Sequence, residues 1–349
     1  MRIAILHNRD ENLRYGVEAD SSAACAVLDE VESVADSCRK LGWEPIPIPV
    51  PSDPSRITAA ITSIGADAVF NLVESFEGDS RYEAFIAAVL DASRIPYTGS
   101  PPRAMIIGLY KSLARSLLAY NGIPIPAGQV IGDVEADIES MRFPFPWIVK
   151  PLHEDASHGI STDSVVFSYA EAHRRIRYIL ETYRQPAMVE EFIEGREFNI
   201  SILGEGTEAF ALSPGEIDFS DFPSGKPRLV TYDAKWNENS PECRGTVSIG
   251  ARDVDSEVLA HVVQNALAAY RIAGLRDYGR VDLRLRPDGK SVVLDINPNP
   301  DISPGAGLAK AAARSGISHE QLIERIVRTA IARGVSHKAH HRSGSVPHT

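Results

Sequence analysis

Cysteine is scarce in this chain: Cys25, Cys38 and Cys243 are the three in 349 residues, and no two form a CxxC pair. That argues against a disulfide framework and fits buried thiols in a reducing compartment. Basic runs are missing as well. The 36 Lys and Arg are outnumbered by 47 Asp and Glu, for a net charge of −11, which disfavours nucleic acid or an anionic membrane as partner. No stretch approaches the length of a membrane span. The opening Met1-Arg2-Ile3-Ala4-Ile5-Leu6 lacks the apolar run and small-residue cleavage site of a signal peptide, so a cytoplasmic location is expected. There is no internal repeat. What is present is ordinary for a globular chain, 44% apolar and 24% charged, and long enough for two or three packed α/β units.

Ile3 to Leu6 predicts a buried strand. An apolar stripe at Val27, Val31, Val34, Cys38 and Leu41, stopped by Gly42, predicts an amphipathic helix from Ala24. Ala68 to Leu72 and Tyr82 to Ser93 continue the alternation, so a parallel, doubly wound domain is expected over residues 1–102, closed by Pro96, Gly99, Pro101 and Pro102. A second unit, 103–188, holds a helix through Leu113 to Tyr120, a strand Trp147 to Lys150, a helix Tyr169 to Tyr183 and a strand Ala187 to Glu190. The third, 189–335, holds a helix Val258 to Tyr270, a hairpin Gly279 to Asn297 and a last helix opened by the capping-box pair Ser318 and Gln321. Residues 336–349 form a polar tail with four of the ten histidines, expected to be solvated.

The hairpin carries the most chemistry. Pro287-Asp288-Gly289 signals a turn between two alternating strands. With an even loop Asp282 faces Asp295 and Arg280 faces Asn297, leaving Val281, Leu283, Leu294 and Ile296 on the other face. A three-residue loop would put Leu294 among the charges, so the polarity pattern favours the even loop. Facing carboxylates repel and call for a cation between them or a retained proton. Two carboxylates and an Asn carbonyl suit Mg²⁺ carried with nucleotide phosphates. A solvated face of alternating charges is the other reading, and spacing alone leaves both open. The rigid loop Asn297-Pro298-Asn299-Pro300-Asp301 leaves the strand end, where α/β proteins place their sites.

With these landmarks the chain resembles the ATP-grasp superfamily, and within it the D-alanine–D-alanine ligase family, over roughly residues 65 to 333. Carrying the resemblance are Pro96-Tyr97-Thr98-Gly99-Ser100, Lys111 opening a helix, Phe145 to Pro151, Glu190 to Phe198, Tyr232-Asp233-Ala234-Lys235-Trp236 and the hairpin, six landmarks in the family's order. The resemblance implies an ATP-grasp fold behind an N-terminal α/β domain. It implies that Lys111 and Lys150 neutralise nucleotide phosphates, and that the loop His153 to Gly159, with Ser157, covers them. Glu190 and the backbone of Phe192 and Ile193 would read the adenine edge, and Glu197 would accept the ribose hydroxyls. Lys235 would sit on a second covering loop, and Arg280 would stabilise the transferred phosphoryl group and the tetrahedral intermediate. Asp282, Asp295 and Asn297 would hold two Mg²⁺, with Mn²⁺ as a substitute.

What the resemblance implies is a carboxylate–amine ligase: ATP converts a carboxylate to an acyl-phosphate, an amine displaces phosphate, and an amide forms. The partners are then ATP and small carboxylate and amine substrates; a homodimer is left open. The rivals are a small-molecule kinase of the same superfamily and a two-lobed ligand-binding protein. Departures cluster on the amino-acid side. The family's Gly-rich first motif, with the glutamate for the substrate's amino group, is replaced by His7 to Tyr15. That glutamate's serine and tyrosine partners are Ala156 and Trp236 here, a family histidine is Glu74, and a substrate-binding serine is replaced by Gly305-Ala306-Gly307. Glu74 and Asn299 are the expected substrate contacts.

Overall fold

The structure is a computed structural model, and it describes residues 1–9, 22–154 and 156–342, with the side chains of 22–26 and 335–342 outside the description. The first sheet is parallel, built from β1 (Arg2–His7), β2 (Glu44–Pro49) and β3 (Ala68–Leu72) in the order β2-β1-β3. Ile3, Ala4, Ile5 and Leu6 are all fully buried, because both faces of the sheet are covered. Ile3 and Ile5 pack with α1 (Ser22–Lys40). Ala4 and Leu6 pack beneath α2 (Ile57–Ser63) and α3 (Glu83–Ser93).

Strand β2 has no counterpart among the elements expected from the sequence. Its prolines, Pro45, Pro47 and Pro49, pair with Ile3, Ile5 and His7 of β1. The flanking amides of Glu44 and Val50 donate to Met1 and His7, so the even positions face β1 and the prolines fall where the N–H would point away from the sheet. Proline is tolerated at such an edge and blocks further strand addition there.

Helices α4 (Pro102–Leu109) and α5 (Lys111–Tyr120) lead into a sheet ordered β4-β7-β5-β6. Its strands are β4 (Gly128–Ile131), β5 (Trp147–Pro151), β6 (Val165–Val166) and β7 (Ala187–Glu191). Helix α6 (Tyr169–Thr182) covers one face through Ala172, Ile176 and Ile179. The third sheet runs β11-β10-β8-β12-β13 with β9 on β8. These are β8 (Arg196–Leu203), β9 (Phe210–Ala211), β10 (Gly215–Asp218), β11 (Val247–Gly250), β12 (Tyr278–Leu285) and β13 (Ser291–Asn297). Two short helices, α7 (Tyr232–Trp236) and α8 (Pro241–Arg244), lie between β10 and β11 in the chain. Helix α9 (Ser256–Ala273), capped by Asp255 and ended by Gly274 at φ +74°, packs Val262, Ala266 and Ala269 onto this sheet.

Helix α10 (Gly307–Arg314) is followed by α11 (His319–Arg342), whose capping box forms as expected: Ser318 N–H donates to Gln321 Oε1 at 2.9 Å and Gln321 N–H to Ser318 Oγ at 3.2 Å. Leu322, Ile323, Ile326 and Val327 of α11 are buried against α1 and against Phe70 and Leu72 of the first sheet. The last helix thus returns to the first domain. Helix α11 also runs through Arg342, into the segment expected to be a polar tail; residues 343–349 lie outside the described residues. Arg333 fixes the return, donating to Asp277 at 2.7 and 2.8 Å and to the Tyr97 carbonyl at 3.0 Å.

The hairpin corrects one inference while keeping its result. Asp282 pairs with Asp295 and Arg280 with Asn297, but beyond them Leu283 pairs with Val293 and Leu285 with Ser291. The loop is therefore odd: Arg286 N–H donates to Lys290 O at 2.8 Å, enclosing Pro287, Asp288 and Gly289, with Gly289 at φ +81°. A β-bulge between these registers, at Leu294, takes up the extra residue and turns Asp295 back toward Asp282. The amide of Val293, beside the bulge, donates to Pro124 O instead.

Candidate active site

Three sets of paired charges stand on β5, β7, β8 and β12, with Arg115 of α5 joining the first. The first is Glu190 on β7, whose carboxylate is held by Lys150 of β5 at 2.7 Å and by Arg115 of α5. Glu190 is 3% exposed. Burial pushes its carboxyl up, yet Lys150, Arg115 and Lys111 together hold it below the ordinary glutamate range. Lys111, the first residue of α5, is buried and its Nζ donates to Glu154 O at 2.5 Å.

Glu197 on β8 forms the second pair, with Arg284 of β12. Both guanidinium contacts, 3.0 and 2.8 Å, go to Oε2, so Oε1 faces elsewhere. Arg284 also donates to the carbonyls of Ile193 and Arg228. Phe192 and Ile193 are buried, and the Phe192 N–H is committed to Pro146 O at 2.9 Å. The turn that carries this segment into β8 is Gly195 at φ +144°; a Cβ there would stand 1.9 Å from Leu285 O, so only glycine lets the turn lie on the hairpin.

Arg280 and Asp282, two residues apart on β12, make the third pair, bidentate at 2.8 and 3.0 Å. Burial opposes the arginine's charge, but Asp282, Asp295 and Glu197 raise its pKa above the ordinary value. Asn199, opposite Asp282 on β8, donates to Asp282 Oδ1 at 2.7 Å. These contacts take three of the roughly four lone-pair directions of Asp282 and leave one on Oδ2. Asn297 Oδ1 accepts one bond, from Asn299 N–H at 2.9 Å, and a carbonyl has two lone pairs. Asp295 Oδ1 accepts from Ile296 N–H at 3.1 Å. An all-oxygen set of two carboxylates and an amide fits a hard divalent cation. Among the described residues no group of three His, Cys, Asp or Glu is placed to hold a metal ion.

The two loops expected to cover the site touch each other. Ser157, expected on the first, has φ +63° and its Oγ donates to Val230 O at 3.1 Å. Lys235, expected on the second, is an exposed residue of α7. Of the expected substrate contacts, Glu74 is half-buried and its N–H donates to Asn8 Oδ1 at 3.3 Å. Asn299 reaches the neighbouring Val73 O at 3.3 Å and accepts from Tyr278 Oη at 2.9 Å. Strand-end residues from the first and third sheets therefore meet here. Of the replaced Gly-rich segment, His7, Asn8 and Arg9 are described and residues 10–15 are not.

Residues 127–328 match the family model described as D-ala D-ala ligase C-terminus. The chain belongs to the D-alanine–D-alanine ligase family. A D-alanine–D-alanine ligase of Acidiphilium cryptum is 31% identical over 303 residues, spanning 86% of this chain and 92% of that protein. The uncharacterized protein y4sG of Sinorhizobium fredii is 30% identical over 282 residues, 80% of this chain and 77% of that one. A solved D-alanine–D-alanine ligase from Bacillus anthracis, complexed with ATP, superposes with a TM-score of 0.69 at 20% identity, covering 97% of this chain and 99% of its own. That likeness shows the fold, and the ATP-grasp architecture expected from the sequence is the one observed.

Arg115, Asn199, Arg284 and Glu30 were not singled out by sequence reasoning. Arg115 was within reach, because it follows Lys111 by one helical turn and so shares its face. Arg284 was too, sharing the alternation of Arg280 and Asp282 along β12. Glu30 interrupts the buried stripe of α1 between Val27 and Val31, a charged residue on a core face. Asn199 had no such signal, since only the register of β8 against β12 brings it to Asp282.

Proposed function

We propose that the chain is an ATP-dependent carboxylate–amine ligase that forms an amide or peptide bond through an acyl-phosphate, on an amino acid or small peptide-like substrate. The observation that carries this reading is the set of paired charges at Glu190 with Lys150, at Glu197 with Arg284, and at Arg280 with Asp282, the last opposite Asp295 and beside Asn297 on the same hairpin.

Each part has a task in that chemistry. Lys150 and Arg115 engage one oxygen of Glu190 each, and each oxygen retains a lone pair for the exocyclic amine of adenine. With the Phe192 N–H and Ile193 C=O already bonded within the protein, the Ile193 N–H is the backbone donor left for the adenine edge. Arg284 holds Glu197 by Oε2, presenting Oε1 to the ribose hydroxyls. Lys111, Lys150 and the Ser157 loop neutralise and cover the phosphates. Asp282, Asp295 and Asn297 would hold Mg²⁺, which when bound supplies positive charge to the phosphate oxygens. A substrate carboxylate oxygen attacks the γ-phosphorus and ADP leaves. The free amine then attacks the acyl carbon, the C–O bond to phosphate breaks, and the nitrogen gives up a proton. Arg280 stabilises the negative charge that develops in both steps, and the two loops keep water from the acyl-phosphate.

The test is release of ADP and phosphate together with detection of amide product, against D- and L-amino acids and dipeptides, singly and in pairs. ADP, phosphate and amide in equal amounts are expected with at least one pair. Transfer of phosphate to a single substrate, with no amide from any amine, would instead make the protein a kinase.

A further inference from the structure

We infer that the indole of Trp236 is a positioning residue that latches the second covering loop onto the phosphate-covering loop. The inference rests on the ligase reading only for its consequence, since the latch itself is a matter of contacts. Trp236 Nε1–H donates to Ala156 O at 3.0 Å. One turn earlier on α7, the Tyr232 N–H donates to Ile160 O at 2.8 Å, and the Tyr232 ring stacks on His158 with centroids 5.6 Å apart. From the other direction Ser157 Oγ donates to Val230 O at 3.1 Å. Four contacts therefore tie residues 156–160 to residues 230–236, spanning about seventy residues of chain.

These contacts bear on a strained segment. Ala156 and Ser157 are consecutive L-residues at φ +52° and +63°, and neither is asparagine, aspartate or glycine. Left-handed backbone at such residues persists only where surrounding contacts over-determine it. The Trp236 and Ser157 hydrogen bonds fall on these two residues. The indole N–H thus holds the peptide that aims the Ser157 amide and hydroxyl, without itself reaching a phosphate.

The chemistry of the latch has a consequence for the substrate. Its hydrogen bonds are made by an indole N–H, a backbone amide, a serine hydroxyl and backbone carbonyls, none of which carries a charge. Neither Ala156 nor Trp236 offers a hydroxyl to a carboxylate that would bind a substrate ammonium. Closure of the two loops is thereby uncoupled from recognition of an α-ammonium, and the latch serves a carboxylate substrate whether or not it carries one.

The experiment compares wild type with Trp236→Phe, which keeps an aromatic ring and removes the donor, and Trp236→Tyr, which keeps a ring and an O–H. Trypsin cleavage after the exposed Lys235 and ATP affinity by titration are read on each protein, with the melting temperature as a folding control. Trp236→Phe is expected to speed cleavage after Lys235 and weaken ATP binding about fivefold, the loss of one neutral hydrogen bond, with an unchanged melting temperature. Trp236→Tyr should recover part of both. Where a substrate pair is known, Trp236→Phe should also raise ADP released per amide formed, as water reaches the acyl-phosphate. Unchanged cleavage and unchanged ATP affinity in a folded Trp236→Phe protein would overturn the latch. Because those two readings need no turnover, they stand or fall separately from the ligase assignment.

Discussion

On β7, β8 and β12 three buried or half-buried acids are each answered by a base: Glu190 by Lys150 and Arg115, Glu197 by Arg284, Asp282 by Arg280. Where the first sheet meets the end of β13, acids press on one another instead. Glu30, buried on α1, is pushed well above the ordinary glutamate range by burial first, then by Glu74 and Asp301, with an Ile302 N–H bond opposing. Tyr278, nearby and fully buried, is likewise raised by burial and by Glu30, Asp277 and Glu74. Under the proposed function the first region holds the nucleotide. The second would then receive the substrate, and it gathers Glu74 and Asp301 around the buried carboxyl of Glu30. Activity class and substrate choice would therefore reside in different parts of this molecule.

The contrast breaks if the second region still serves the family's substrate. D-alanine is expected to be a poor first substrate, because an ammonium placed without its carboxylate partner costs on the order of 3–5 kcal/mol, about a thousandfold in rate. A coupled ADP-release assay, with D-alanine beside other amino acids and dipeptides, measures it. D-alanyl-D-alanine formed faster than any other product would end the distinction drawn between the two regions.

On the nucleotide side, Arg280→Met should lower kcat about 10²- to 10³-fold, the loss of a donor aimed at developing charge. Asp295→Asn should strongly reduce ADP release and shift its dependence on added Mg²⁺ to higher concentration. ADP release that ignores both changes, with a responsive substrate, would remove Arg280 and the facing aspartates from the reaction.

Lys150→Ala sharpens the comparison, since the same side chain neutralises Glu190 and is proposed to meet phosphate. Arg115 remains to hold the buried carboxylate, so the melting temperature should fall only slightly while ATP affinity drops at least tenfold, as for a charge-assisted contact of about 1.5–3 kcal/mol. A large loss of melting temperature with ATP affinity intact would make Lys150 a structural residue.

The smallest effect is expected at Glu30. Its folded-state pKa lies above the unfolded value, so the folded state favours the protonated form. The protonated carboxyl's advantage is complete below the unfolded pKa, about 4.3, and fades as pH rises through the folded value. Wild type should therefore lose stability relative to Glu30→Gln as pH increases from about 4.3. Urea unfolding at several pH values reads it; a stability difference that does not change with pH would show that Glu30 keeps one charge state throughout. The groups facing it are Glu74, Asp301 and Tyr278.

Much of this was legible because the decisive patterns are local. Alternation placed Arg280 and Asp282 on one face of β12, the stripe Val27, Val31, Val34 and Cys38 marked the buried side of α1, and Ser318 with Gln321 announced the start of α11. The chain's periodicities and turn residues thus determined these elements, though not the proline-rich β2, and the order of its motifs carried the resemblance to its family and fold. Pairing across the molecule was left to the tertiary structure. A bulge at Leu294, which polarity alone misread as an even loop, decides that Asp295 faces Asp282. The register of β8 against β12 brings Asn199 to Asp282 and Arg284 to Glu197, and the return of α11 to the first sheet follows from where its apolar stripe finds cover. A strand's side-chain period states which residues share a face but is silent on which strand lies opposite. A one-residue slip reverses every partner, and only the packing of the whole chain selects the register.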